Sequence, residues 1–217
     1  MKLSLQTFFL AMQLAREIER FRLVKILSPY SSLNIALALS LARYWLEKGA
    51  RVAISSSIPL SICSEAVAKL LSKGLRLEPI GDIDRAIVIY SDSVEDIPRA
   101  RGVILIGSRS PRLRVDASYR ARQVEPNTYS LVGDEGIHLL KVRNCFVEEL
   151  EIPEEVKMIY NEVRDIYMEF GAVKAWTVVK MLMKRYGLSR EQAIDVVRRA
   201  IAVGLLKYES GYLIPAM

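Results

Sequence analysis

Seven arginines, Arg99, Arg101, Arg109, Arg112, Arg114, Arg120 and Arg122, fall within residues 99–122 and are opposed there only by Asp116. That segment's net charge of +6 equals the formal charge of the whole chain. A guanidinium group is a planar fork that donates two parallel hydrogen bonds to a phosphate or a carboxylate. The cluster therefore points to an anionic partner, either nucleic acid or an acidic protein. A solvated loop carrying plain surface charge is the alternative. A thinner set, Arg190, Arg198 and Arg199, is interleaved with Glu191 and Asp195.

Other chemistries lack their residues. One histidine, His138, and two isolated cysteines, Cys63 and Cys145, without a CxxC pair cannot furnish a zinc site. Each cysteine reads as a reduced, buried thiol. No GxGxxG and no GxxxxGK[ST] is present, so no nucleotide cofactor is expected. Asp92, Asp134 and Glu135 have no partner at a diagnostic spacing. The expectation is of no catalytic, cofactor or metal residues, and of binding at the ten arginines named above.

The elements that must carry these groups follow from periodicity. Residues 4–22 read as an amphipathic helix. Short apolar runs at Leu23–Leu27, Arg51–Ser55, Ala86–Tyr90 and Gly102–Ile106 read as strands. Helices are expected over 32–48, closed by Gly49, and over 61–73, closed by Gly74. This alternation predicts a parallel sheet covered by helices on both faces, with any crevice at the strand ends Ser28–Asn34, Ser55–Ser57, Ser91–Ser93 and Gly107–Arg109. Serines there suit helix capping and turns, or anion binding through backbone N–H groups. Residues 111–134 read as irregular, with a turn at Pro126–Tyr129, and 137–143 and 145–150 as short edge strands.

A second texture begins after the acidic, proline-containing stretch 151–155. Helices are expected over 154–170, over 173–186, and from the capping box Ser189–Gln192 to about Val203. Two short strands, 205–208 and 212–214, form a terminal hairpin. This order is that of a winged helix-turn-helix. The expected organisation is an α/β domain over 1–150 and a winged-helix domain over 151–217. The latter holds ten basic and nine acidic residues, a balance that suits protein docking as well as DNA contact.

The first 150 residues resemble the DHH phosphoesterase superfamily, to which the RecJ nuclease belongs. In that family a strand ends in Ser-His-x-Asp-x-Asp-Gly and opens a long helix. Here the matching stretch is Ser28-Pro29-Tyr30-Ser31-Ser32-Leu33-Asn34, with Pro29, Ser31 and Leu33 at the His and Asp places. The strand ending Asp-His-His is matched by Val103–Ile106 followed by Gly107-Ser108-Arg109. Asp92 follows another apolar strand, and Val124-Glu125-Pro126-Asn127 is similar to a later Val-Asn-Pro element. The resemblance implies a Rossmann-like frame whose two-metal hydrolytic site is lost. Inactive members of the superfamily include the RecJ-like subunit of the archaeal replicative helicase assembly, which joins MCM and GINS.

Two functions are consistent with these residues. One is a non-catalytic DNA-replication subunit that scaffolds MCM and GINS and guides single-stranded DNA with the 99–122 segment. The other is a winged-helix transcription regulator whose α/β domain senses a ligand. The interrupted hydrophobicity of residues 1–15 argues against a signal peptide, and a cytoplasmic location is expected. Scarce Gln and Asn beside abundant Arg, Glu, Ile and Val lean towards a thermophile.

Overall fold

A computed structural model describes residues 13–79, 81–90, 94, 97–109, 112–133 and 136–216. It is a mixed α/β fold built on one curled, mostly parallel sheet of eight strands in the order β2-β3-β4-β1-β5-β6-β7-β8. Four strands stand where apolar runs predict them: β1 (Leu23–Leu27), β2 (Val52–Ser56), β3 (Ile83–Tyr90) and β4 (Ala100–Gly107). They are parallel to one another and to β5 (Ala117–Glu125). From β5 the sheet continues antiparallel through β6 (Thr128–Gly133), β7 (Ile137–Arg143) and β8 (Phe146–Leu150).

Strands β5 and β6 overturn the irregular reading of 111–134. Strand β7 is interior, and only β8 is an edge. The turn at 126–128 stands, with Asn127 at a φ of 60°, a conformation Asn tolerates better than most residues.

Helices α1 (Gln13–Ile18), α2 (Ser31–Glu47) and α3 (Ser64–Leu71) all pack on one face. The expected helix over 61–73 opens as a 3₁₀ turn, Leu60–Cys63, before α3. The first nine residues of the expected 4–22 helix lie outside the described residues, as does the strand end Ser91–Ser93. Helix α2 is buried almost all round, from Leu33 to Ala42, which explains its weak amphipathic pattern.

Among the described residues, no helix covers the opposite face over its parallel half, where helices are expected. There Ala53, Ile83, Ala86, Tyr90, Val103 and Leu105 form a small core beneath irregular segments that contribute Val94 and Leu113. The reason lies in the connections. Strand β1 reaches β2 through α2, whereas β4 crosses over β1 to β5 through residues 108–116, of which the described ones form no helix.

Over the antiparallel half, the same face carries the C-terminal segment. This comprises α4 (Glu154–Phe170), β9 (Val173–Lys174), α5 (Ala175–Tyr186), α6 (Arg190–Ala202), β10 (Leu206–Glu209) and β11 (Tyr212–Pro215). Strands β10, β11 and β9 make a separate three-stranded antiparallel sheet. The capping box at Ser189 and Gln192 is fully formed. Val132 and Leu139 of the large sheet share one apolar core with Val156, Ile159, Val163, Leu182 and Val197. The Gly204 backbone comes close enough to β5 and β6 that an added Cβ would lie 3.0 Å from Val124.

Cys63 and Cys145 are not separate thiols. They form a disulfide with Cα atoms 5.7 Å apart, linking the 3₁₀ turn to the β7–β8 turn. Eighty-two residues separate them, so no sequence spacing reveals the pairing.

His138 is buried on the helical face, where its Nδ1 lies 2.5 Å from Glu149 and its Nε2 3.5 Å from Glu17. The Tyr119 hydroxyl also donates to Glu17. Burial alone would discourage the imidazolium, but the hydrogen bonds with Glu149 and Glu17 outweigh it and raise the pKa to about 9 from 6.5. Because the folded value is the higher one, this contribution to stability is complete below about pH 6.5 and is lost as the pH climbs through 9. Melting temperatures are expected to fall between these values, with His138→Gln flattening the slope. A wild-type melting temperature flat from pH 6 to 9.5 would contradict this.

Candidate nucleic-acid interface

The alternation of β5 decides where its arginines point. Ala117, Tyr119 and Ala121 enter the helix-side core, so Ser118, Arg120, Arg122 and Val124 face the other way. On β1, Val24 and Ile26 are likewise helix-side, which sends Lys25 and Leu27 to the face of Arg120 and Arg122. Leu27 pairs with Arg120 and Lys25 with Ser118 across the parallel ladder. These cations lie on the sheet face opposite α1, α2 and α3.

Beside them is a cleft of about 410 Å³ lined by Leu27, Ser118, Arg120, Gly133, Tyr160, Arg164 and Met168. Its far wall is α4. Arg164 reaches over the Tyr160 ring at 5.9 Å and contacts neighbouring Asp165 at 3.3 Å. The cleft thus joins guanidinium groups to a ring and a thioether, the combination that holds a phosphate backbone and tolerates bases.

The other arginines of the 99–122 cluster lie outside this cleft. Arg109 follows β4 at the C-terminal end of the parallel strands. Arg112 and Arg114 lie on the crossover, which returns to the N-terminal end. There Arg99, Arg101 and Arg114 meet Arg22 around a cleft of about 870 Å³ that also contains Asp82 and Asp116. Asp116 is engaged by the backbone N–H groups of Arg22 and Leu23, at 2.9 and 2.8 Å. Arg101 is 3.6 Å from Asp84. Arg99, Arg101 and Arg114 thus gather at one end of the parallel strands, while Arg109 follows the other end of β4 and Arg120 pairs with Leu27 at the same end of β1.

The strand-end crevice has a different character. Ser28 is buried, and its N–H donates to the Gly107 carbonyl at 2.7 Å. Its hydroxyl accepts from the Tyr30 N–H at 3.3 Å, and its carbonyl from Asn34 Nδ2 at 3.1 Å. Tyr30 is the N-cap of α2 and gives no side-chain cap. Turn chemistry therefore accounts for Ser28, and capping does not. A Cβ at Gly107 would lie 2.4 Å from the Tyr90 carbonyl oxygen, so no side chain fits there. Leu33 is fully buried in the apolar core. The Tyr90 hydroxyl donates to the Arg109 carbonyl at 2.7 Å, and burial pushes the Tyr90 pKa up to about 12. Among the described residues, no group of three metal-ligating side chains converges. Asp92, Asp134 and Glu135 lie outside them.

The structure divides the second arginine set. Arg199 is paired with Glu155, at 3.2 Å, and with Asp195. Arg190 lies 5.2 Å from the Trp176 ring. Arg198 is exposed and pairs with no acid among the described residues. The sequence reading missed Lys25, Arg164 and Trp176. Their signal was available: Lys25 breaks an otherwise apolar strand, and Trp176 falls on the polar side of a helix whose buried residues are Val178, Val179 and Leu182.

No family model matches the chain, and no curated protein matches it. Among solved structures, the RadB recombinase crystal structure is similar in fold over 60% of this chain and 91% of that one, at 12% identity and a TM-score of 0.42. No described helix is long and apolar enough to cross a membrane.

Proposed function

We propose that this chain is a non-catalytic nucleic-acid-binding subunit that serves DNA replication as a scaffold for MCM- and GINS-like partners. The observation that carries the reading is the placement of Arg120, Arg122 and Lys25 on the sheet face opposite α1, α2 and α3, with Arg120 lining the cleft whose wall is Tyr160, Arg164 and Met168. A groove of one charge sign with an apolar wall favours a strand held by its phosphates and stacked bases.

The loss of hydrolysis is supported by two positions. Gly107 and Leu33 stand where the phosphoesterase resemblance places aspartates. One has no room for a side chain, and the other faces hydrocarbon, where a carboxylate would be strongly disfavoured. In this reading residues 151–217 form a winged helix, a reading supported by the order α4-β9-α5-α6-β10-β11 and by the sheet β10-β11-β9. The regulator alternative asks α6 to read a major groove, yet Arg199 is tied to Glu155 and Asp195. A cytoplasmic disulfide suits a hyperthermophile, in keeping with the composition.

The test has two arms. Immobilised chain is expected to retain MCM and GINS from the same cell at moderate salt, and to bind labelled oligo-dT without cleaving it in manganese. Failure to retain either protein would end the scaffold reading. Manganese-dependent cleavage would end the non-catalytic one.

A further inference from the structure

Large apolar side chains left exposed call for a reason, and Trp176 is one. It is 46% exposed, whereas the chain's other tryptophan, Trp45, is 1% exposed. Its indole is flanked by two cations, Lys180 Nζ at 5.6 Å and the Arg190 guanidinium at 5.2 Å from the ring centre. Lys180 lies one turn further along α5. Arg190 opens α6, whose start is fixed by the Ser189–Gln192 capping box. Two helices therefore hold the ring in place before any ligand arrives.

The surroundings select the ligand. Helix α5 contains no acid, and Lys180 and Lys184 are exposed on it just after the exposed Lys174. Protein-docking surfaces put aromatic rings in a centre depleted of charge, and lysine is disfavoured there. An exposed ring between cations is instead the arrangement for a nucleobase whose flanking phosphates need neutralising.

We infer that Trp176, with Lys180 and Arg190, is a stacking platform for an unpaired base of a nucleic-acid strand. This rests on the nucleic-acid reading given above and adds a strand state to it. A duplex hides its base faces, so only a single strand can use the ring.

The test uses the full chain and a labelled oligo-dT of about 20 nucleotides, with two independent readouts. Fluorescence anisotropy of the label reports any binding. Intrinsic emission reports Trp176, because Trp45 is buried and emits to the blue. Anisotropy should rise together with quenching of the red-shifted emission. Trp176→Ala should weaken binding about tenfold, Trp176→Phe should recover most of the loss, and a duplex of equal length should not quench. Rising anisotropy with unchanged emission and an unaffected Trp176→Ala would overturn the platform and leave the nucleic-acid reading standing. No rise in anisotropy would remove both. Equal quenching by duplex would overturn the single-strand assignment. Intact oligo-dT binding with lost retention of MCM or GINS in Trp176→Ala would make the surface a protein-docking one, against the inference.

Discussion

A chain carrying Arg120→Glu and Arg122→Glu is expected to bind oligo-dT at least about tenfold more weakly near 0.1 M salt, and with a shallower salt dependence. Each lost phosphate contact on a single strand removes about 0.7 from the slope of log affinity against log salt. Two contacts should therefore lower that slope by about 1.4, with charge reversal adding repulsion to the loss. Both side chains project from the face of β5 opposite the Tyr119 and Ala121 that build the core. Arg198→Glu is the matched control, because Arg198 is exposed but lies on α6, away from the groove. Titrations at several salt concentrations decide the matter. An unchanged slope in the double variant would show that the arginines on β5 do not touch phosphate.

The second large effect is on stability. Reducing the Cys63–Cys145 bridge, or replacing both residues by serine, releases a loop of 82 residues in the unfolded chain. On the chain-entropy account that costs about 4 kcal/mol. For a protein of this size it is a fall of about 10 °C in melting temperature. The bridge fastens the turn before α3 to the β7–β8 turn, where Asn144 and Cys145 hold φ values of 48° and 65°. The edge strand β8 should loosen first, although the Val147 N–H donating to Ser40 Oγ at 2.8 Å and the Leu14 N–H donating to Glu149 at 3.3 Å still tie it to the helical layer. Melting with and without reductant checks this, and the serine variant should melt low in both. Equal melting temperatures for chains whose thiols have been shown free would refute it.

Much of the scaffold was readable before any coordinates. Buried parallel strands advertise themselves as short apolar runs, and β1 through β4 do so, with Lys25 the one break in β1. The capping residues of α6 and the Ser210-Gly211 turn, with φ values of 49° and 89°, are local chemistry that needs no tertiary context. Strand β5 stayed hidden for a physical reason. Its inward residues include two alanines, too small to look like a core, while its outward residues include the arginines that made the segment look like a loop. The period-2 alternation of Ala117, Tyr119 and Ala121 against Ser118, Arg120 and Arg122 was present but masked by charge. The arginine cluster was visible as a charge, whereas its division between the two strand ends depended on a crossover over β1 that no local pattern encodes. The disulfide was invisible because its halves meet only through the packing of β8 against α2 and α3.

The apolar core that Val132 and Leu139 share with α4, α5 and α6 has a further consequence. It removes the hinge that a chain boundary near Pro153 would otherwise supply. On the nucleic-acid reading proposed above, the groove on β5 and the indole on α5 are then two jaws of a calliper whose opening is set by packed side chains instead of a tether. A strand shorter than that opening can occupy one jaw only, and one nucleotide more brings in the second. Affinity plotted against oligonucleotide length should therefore climb in a single step, and the position of that step would be a measurement of the protein's own internal span.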